Sequence, residues 1–326
     1  MDFILACVGL VLLLLAGDAL VRGAVNLSLR IGIPALIVSL TVVAFGTSAP
    51  ELLISVSAIH EGVPGLALGN VIGSNTANIL LVLGIPALIT TLHVTDNSTR
   101  SSYLQMIAGT ALFIGLASFG TFTWVSGLIL LAALAAMLGY AVFQARCHRR
   151  DTAAADAVKE ACDEIVIEDL EGADPDLPWW KIIAFLVAGL IGLPLGAKLL
   201  VDASTNIATA YGVSDEIIGL TLVAIGTSLP ELATTVMAAL RKQADVAFGN
   251  VIGSNMFNLL GIIGVSSLVG NLPVGTELMS FDIWIMLAAS LLLGVFVFKR
   301  IDITRFWGFV FSGLYVAYVL RVLLSS

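Results

Sequence analysis

The chain has 326 residues, of which 59% are hydrophobic and only 12% are charged, with a mean hydropathy of +1.04. Soluble globular domains carry about a quarter charged residues, so this composition excludes that class. The formal net charge of −8 is local, because ten of the 23 Asp and Glu residues lie in 151–176. The rest of the chain is close to neutral, so no nucleic-acid partner is expected.

Ten apolar stretches are long enough to cross the roughly 30 Å hydrocarbon core of a bilayer. They form two groups of five around one polar segment, which predicts an all-α polytopic membrane protein with domains 1–145 and 180–326 and a linker at 146–179. The first stretch lacks a basic flank and a small-residue cleavage site, so it is interpreted as a permanent helix and not a signal peptide. The predicted spans are 3–26, 32–59, 64–90, 102–119, 123–144, 180–203, 213–240, 244–270, 282–298 and 304–323.

The basic residues predict the orientation. With the N-terminus outside, 13 of the 15 Lys and Arg residues fall on inner loops or inner helix ends, and only Lys198 and Arg321 lie outside. The positive-inside rule therefore places both termini outside a plasma membrane and the linker 146–179 in the cytoplasm. The acidic middle of the linker is either a solvated, partly helical tether or a calcium-binding regulator; the lack of EF-hand spacing favours the tether.

Residues 44–78 and 224–258 are two copies of one element, aligned without a gap at an offset of 180. Each copy contains Gly-Thr-Ser-x-Pro-Glu followed by Gly-Asn-Val-Ile-Gly-Ser-Asn, and each puts a carboxylate, Glu51 or Glu231, inside apolar sequence. Polar groups are costly in a bilayer and usually mark function. Because each half has an odd number of spans, the second copy must enter from the opposite face. Matched motifs in two inverted five-helix repeats predict a shared site at their interface, as in alternating-access transporters.

One detail outside the motifs supports the duplication. Asp18 and Arg22 in the first helix correspond, at the offset of 180, to Lys198 and Asp202. Each is an i,i+4 charge pair, and the signs are exchanged. These pairs are interpreted as structural salt bridges near helix ends.

The prolines predict helix breaks beside the two carboxylates. Pro50 and Pro230 have no N–H to donate to the carbonyl four residues earlier, so breaks are expected near 46–47 and 226–227. A carbonyl freed inside a membrane needs a partner. A bound cation is one such partner, and a packing kink satisfied by waters or neighbours is the alternative.

The polar residues of the two copies share faces of their helices, because they are spaced three or four apart. All of them offer hard oxygen donors, and His and Cys are absent from the set. Such donors suit Ca²⁺, which takes about 6–8 oxygens, and also Na⁺; they argue against zinc or copper. Two carboxylates balance one Ca²⁺, while several Na⁺ could divide among the same oxygens. The candidate ligands are Thr47, Ser48, Glu51, Ser74 and Asn78, with Thr227, Ser228, Glu231, Ser254 and Asn258.

These motifs resemble the alpha-repeats of the Ca²⁺:cation antiporter superfamily, most closely the ten-helix prokaryotic members of the sodium/calcium exchanger branch. The resemblance implies that Glu51 and Glu231 are central Ca²⁺ ligands, assisted by the backbone carbonyls of Thr47 and Thr227. It implies that helices one and six slide across the others. The further residues that it implies are Ser48, Ser74, Ser228, Ser254 and the carbonyls of Ala44 and Ala224 for Na⁺, with Asn78 and Asn258 in the middle of the cluster.

Departures from related branches refine the expected activity. The proton-coupled branch usually has Asn where Thr47 and Thr227 stand, and the potassium-dependent branch has Asp where Asn258 stands. K⁺-independent Na⁺/Ca²⁺ exchange is therefore expected, and the energetics of the ion gradients predict that it is electrogenic. A Ca²⁺/H⁺ antiporter and a gated cation channel are the alternatives, and only a channel passes current without a counter-ion. The expected partners are Ca²⁺, Na⁺ and membrane lipid, with no cofactor, no protein partner and no enzymatic constellation.

Overall fold

The computed structural model describes residues 1–94, 97–159, 174, 176–211 and 224–325. The helices of the first half are α1 (Asp2–Ile31), α2 (Ala35–Val38), α3 (Ala44–Thr47), α4 (Ala49–His60), α5 (Pro64–Leu80), α6 (Gly84–Ile89), α7 (Asn97–Ala117) and α8 (Trp124–Lys159). Those of the second half are α9 (Trp179–Ala210), α10 (Ala224–Thr227), α11 (Leu229–Leu240), α12 (Ala244–Met256), α13 (Ile263–Val269), α14 (Ile283–Lys299) and α15 (Arg305–Ser325). The π-helical segments are Ser39–Val43, Phe257–Ile262 and Leu278–Asp282, and two short strands are β1 (Thr121–Phe122) and β2 (Leu272–Pro273).

Every predicted span contains helix in the structure. Among the described residues, seven helical segments are long and apolar enough to cross a membrane, and Ala35–Thr47 with Ala49–His60 forms an eighth, bent by 41° at its break. The other two predicted spans correspond to α7 and to α10 with α11. The beginning of that last span, 212–223, lies outside the described residues.

Two short β contacts show that the repeats are inverted. Phe122 of β1 pairs with Leu272 of β2, and Leu92 forms an isolated bridge with Ile303. Leu92 and Leu272 are equivalent positions at the offset of 180. Since α7 alone separates Leu92 from Phe122, the two contacts lie at opposite ends of the bundle. Equivalent loops thus make equivalent contacts on opposite faces.

The helices that carry the motifs lie at the centre. In the most apolar 18 residues of each segment, 89% of the residues of Ala244–Val269 and 72% of those of Pro64–Ile89 are buried, against 33% for α1 and for α9. The long helices α1 and α9 pack on each other through glycines. A Cβ at Gly9 would lie 2.7 Å from the Leu200 nitrogen, and one at Gly196 would lie 2.9 Å from the Leu13 nitrogen. This close approach makes α1 and α9 a pair on the outside of the core.

The structure agrees with the predicted end of the fifth span and differs from the sequence-based expectations in one place. The apolar part of α8 is Trp124–Gln144, and the helix continues to Lys159 because the alanine-rich 152–158 has high helix propensity. The predicted pair of Asp18 with Arg22 forms at 2.9 Å, but no ion pair joins Lys198 to Asp202 in the described part of the chain. Both of these side chains are exposed, and an exposed pair contributes only about 0–1 kcal/mol.

Candidate cation-binding site

Each motif breaks its helix at a serine. Ser48 between α3 and α4 has φ −85° and ψ 5°, and Ser228 between α10 and α11 has φ −86° and ψ 3°. Two residues after each serine come Pro50 and Pro230, which cannot donate to the preceding turn. Helical hydrogen bonding resumes when the Leu52 N–H donates to the Ser48 carbonyl at 3.3 Å. In the second copy the Leu232 N–H donates to the Ser228 carbonyl at 3.0 Å. The predicted breaks are confirmed, one residue beyond Thr47 and Thr227.

The breaks bring two carboxylates together in the interior. Glu51 is 1% exposed and Glu231 is fully buried, and they lie close enough for their charges to repel each other. Each has its Oε2 atom without a hydrogen-bond donor among the described residues. A buried charge without a partner is strongly unfavourable. A bound cation or a proton between the two repeats would neutralise this pair.

Hydroxyl groups of both repeats surround the carboxylate of Glu231. Ser48 Oγ donates to Glu231 Oε1 at 3.1 Å, and the hydroxyls of Thr47 and Ser254 also lie near this carboxylate. Thr47 Oγ1 lies 3.4 Å from Ser254 Oγ. Residues that are far apart in the sequence thus form one polar cluster across the repeat interface.

Asn250 belongs to this cluster and was not among the predicted ligands. Its Nδ2 donates to the Glu231 carbonyl at 3.2 Å and to Thr235 Oγ1 at 3.1 Å, while its Oδ1 accepts from Thr47 at 3.3 Å. Its sequence signal is the spacing of four that joins it to Ser254, and then to Asn258, on one face of the helix. Asn250 is better described as a group that orients Glu231 and Thr47.

Amides from both repeats meet beside the carboxylates. Asn78 Nδ2 donates to Asn255 Oδ1 at 3.1 Å, and Asn75 Nδ2 donates to the Asn255 carbonyl at 3.3 Å. Asn75 and Asn255, equivalent positions of the repeats, were also not among the predicted ligands. Buried oxygens near the site that lack a donor among the described residues are those of Glu51 Oε2, Glu231 Oε2, Asn75 Oδ1, Asn78 Oδ1, Asn258 Oδ1 and Ser228 Oγ.

Two of the predicted ligands line a cavity that leads to the cluster. Ser74 and Thr227 are among the residues around a cavity of about 370 Å³. It follows one face of α5, from Gly65 near the start of that helix to Ser74. In its wall Tyr318 donates a hydrogen bond to Asp282 Oδ1 at 3.0 Å. The cavity therefore connects one end of the bundle with the buried cluster.

The two predicted alanine carbonyls, of Ala44 and Ala224, belong to the short helices just before the breaks. The Ala44 carbonyl accepts from the Ser48 N–H at 3.1 Å, and it lies 3.3 Å from Thr47 Oγ1, whose single proton can go either to this carbonyl or to Asn250 Oδ1. Ala224 is the first residue of α10.

The donor set defines the chemistry. The described residues hold no group of three or more His, Cys, Asp and Glu residues of the kind that binds transition metals. Two carboxylates stand instead among neutral hydroxyl and amide oxygens, which suits hard cations such as Ca²⁺ and Na⁺. A buried site of this kind, shared by inverted repeats of a helical membrane protein, defines a membrane cation transporter and not an enzyme.

Comparison with known proteins identifies the family. The model of the sodium/calcium exchanger protein family matches residues 1–143 and 181–324, and the chain belongs to this family. It is 30% identical over 347 aligned positions to the sodium/calcium exchanger MaX1 of Methanosarcina acetivorans, covering 98% of this chain and 97% of that one. It is 34% identical over 305 positions to the inner membrane protein YrbG of Escherichia coli, covering 91% and 88%.

A solved structure agrees with the fold. The sodium-calcium exchanger NCX_Mj soaked with Na⁺ and Ca²⁺ superposes with a TM-score of 0.81 at 31% identity, covering 98% of this chain and 97% of that one. The predicted fold, ten helices in two inverted repeats, and the resemblance to this family are therefore confirmed. The chain is an integral, multi-pass membrane transporter of the cation antiporter class.

Proposed function

We propose that this protein exchanges Na⁺ for Ca²⁺ by alternating access, with both ions competing for the oxygens around Glu51 and Glu231. The observation that carries the proposal is the facing pair of buried carboxylates, each with one oxygen that has no described donor. The sodium/calcium exchanger names of MaX1 and NCX_Mj support the choice of ions.

The ligand assignment is part of this proposal. The carboxylates of Glu51 and Glu231 bind Ca²⁺. The backbone carbonyls of Thr47 and Thr227, at the two helix breaks, assist them. The hydroxyls and amides around them complete Na⁺ sites when Ca²⁺ has left. The hydroxyls are those of Ser48, Ser74, Ser228 and Ser254, and the amides are those of Asn78 and Asn258 between the repeats. The backbone carbonyls of Ala44 and Ala224, at the edge of the cluster, add to these Na⁺ sites.

Cations reach the cluster through the cavity along α5. Asp282 lines this cavity, and a carboxylate in a low-dielectric passage raises the local concentration of cations. In the orientation predicted from the basic residues, the start of α5 faces outside, so this access is extracellular. The same orientation leaves the linker 146–179 between the two domains in the cytoplasm of the cell.

The energetics favour three Na⁺ for each Ca²⁺. Expelling one Ca²⁺ against a ~10⁴-fold gradient and ~100 mV costs about 5.5 kcal/mol chemically and ~4.6 kcal/mol electrically. Each Na⁺ entering down a ~10-fold gradient returns about 1.4 kcal/mol chemically and ~2.3 kcal/mol electrically by the same rules. Two Na⁺ are insufficient and three suffice, so we propose that exchange is electrogenic.

Flux in proteoliposomes tests the proposal. Vesicles loaded with Na⁺ are diluted into Na⁺-free buffer, and ⁴⁵Ca²⁺ uptake is followed with the membrane potential clamped by an ionophore. Parallel vesicles carry only a K⁺ gradient or only a proton gradient. Uptake with the Na⁺ gradient alone is expected. Uptake driven by protons alone would favour a Ca²⁺/H⁺ antiporter, and Ca²⁺ current without any counter-ion would indicate a channel.

A further inference from the structure

The two repeats are packed unequally by the outer helices. Helix α1 lies against α11, where a Cβ at Gly17 would be 3.0 Å from the Ala233 carbonyl oxygen, and Ala233 is only 6% exposed. The equivalent position on α4 is Leu53, which is 69% exposed. One surface is thus covered by an outer helix, and its repeat equivalent is not.

An ion pair closes the covered surface at the end of α11. Asp18 on α1 binds Arg241, the residue that follows α11, and Arg22 adds a second contact to Asp18 at 2.9 Å. The side chains of Asp18 and Arg241 are only 19% and 15% exposed. This pair therefore connects α1 to the core in a place where solvent screens it weakly.

The repeat equivalents of this ion pair carry the opposite charges. At the offset of 180, Asp18 corresponds to Lys198 on α9, and Arg241 corresponds to Glu61, which follows α4. The third member, Arg22, corresponds to Asp202, so all three signs are exchanged. Because only 12% of the chain is charged, a complementary pair at two equivalent positions is not expected by chance. Lys198 and Glu61 are both exposed, and no ion pair joins them in the described part of the chain.

The cavity lies at the end where the pair is not formed. It begins beside Gly65, four residues after Glu61, whereas Asp18 and Arg241 meet at the opposite end of the bundle. The formed ion pair therefore lies at the end away from this cavity, and the separated charges lie at the end where the cavity begins.

We propose that these two ion pairs are alternating latches that hold the two access states of the transporter. In the state described here, Asp18 and Arg241 hold α1 on α11. In the opposite state that pair separates, α9 covers the Leu53 face of α4, and Lys198 pairs with Glu61. The proposal rests on the proposed alternating access and assigns four residues outside the ion site to the control of its states.

Cysteine accessibility tests the latches. In a background with Cys7, Cys147 and Cys162 changed to serine, single cysteines replace Ser57 on α4 or its equivalent Met237 on α11. Ser57 is exposed and Met237 is half-buried. The labelling ratio is the maleimide labelling rate at position 57 divided by the rate at position 237, both measured in detergent. It reports whether α9 covers α4 or α1 covers α11. The state described here predicts faster labelling at position 57.

Neutralising Arg241 and neutralising Glu61 should move the labelling ratio in opposite directions. Arg241→Gln is expected to lower the ratio at least fivefold, because a coupling of 1–3 kcal/mol shifts a two-state equilibrium by about 5–150-fold. Adding Glu61→Gln to Arg241→Gln should return the ratio toward the wild-type value. The charge exchange Asp18→Arg with Arg241→Asp should restore it as well. Asp302→Asn, which lies outside both latches, is the matched control and should leave the ratio unchanged.

Two outcomes would overturn the latches: a ratio that does not respond to Arg241→Gln, or a Glu61→Gln change that lowers the ratio further. The ratio is measured without transport, so it is independent of which ions are exchanged. A wild-type protein without Na⁺-driven Ca²⁺ uptake would overturn the proposed function, and the labelling ratio would still decide whether the latches exist.

Discussion

Replacing Glu231 by glutamine should remove Ca²⁺ binding while leaving the fold intact. The amide keeps the shape of the side chain and can still accept from Ser48, which lies 3.1 Å from Oε1. The change removes one of the two buried negative charges that balance a divalent cation. Losing one partner of a buried charge interaction costs about 2–5 kcal/mol. Ca²⁺ affinity should therefore fall about 30- to 5,000-fold.

Equilibrium ⁴⁵Ca²⁺ binding to the purified protein in Na⁺-free detergent measures this loss. Asp176→Asn, which neutralises an exposed carboxylate outside the membrane-spanning helices, is the control and should bind normally. Thermal unfolding in cation-free buffer separates lost binding from misfolding. Glu231→Gln should unfold at the same temperature as the wild type or higher, because one uncompensated buried charge is gone. Near-normal Ca²⁺ affinity in a folded Glu231→Gln protein would refute the assignment of the two carboxylates.

Three further changes probe the surroundings of the site. Replacing K⁺ by choline at fixed membrane potential should leave Na⁺-driven Ca²⁺ flux unchanged, whereas Asn258→Asp should introduce a dependence on K⁺; strict K⁺ dependence of the wild type would contradict the role of the neutral amide. Asn250→Ala should lower Ca²⁺ affinity about 10-fold, since losing a buried hydrogen-bond partner costs roughly 1–3 kcal/mol; unchanged affinity in a binding titration would show that Asn250 does not orient Glu231. Asp282→Asn should raise the external Ca²⁺ concentration for half-maximal uptake at low ionic strength, with less effect at high salt; an equal effect at both salt concentrations would argue against electrostatic steering by Asp282 in the cavity.

The amino-acid sequence by itself determined the repeat, the breaks and the two carboxylates. Pro50 and Pro230 act through a local property, a missing N–H, so their effect on the helix was predictable without knowledge of packing. Glu51 and Glu231 stood out because a carboxylate in an apolar span is costly wherever it lies. The ten spans followed from length and hydropathy. The end of the fifth span at 144 followed from hydropathy as well, while the continuation of the same helix to Lys159 reflects the helix propensity of its alanines.

Tertiary structure decided the features that depend on which surfaces meet. Asn250 and Asn255 sit in the motif that the sequence displays, but only the packed helices show that one orients Glu231 and the other joins the two repeats. The covering of Ala233 and the exposure of Leu53 are likewise invisible in the sequence. Equivalent segments of an inverted repeat have nearly the same local preferences, so the sequence permits either end of the bundle to close. The packing of α1 and α9 against the core selects one of these two arrangements, and that choice is a property of the assembled structure.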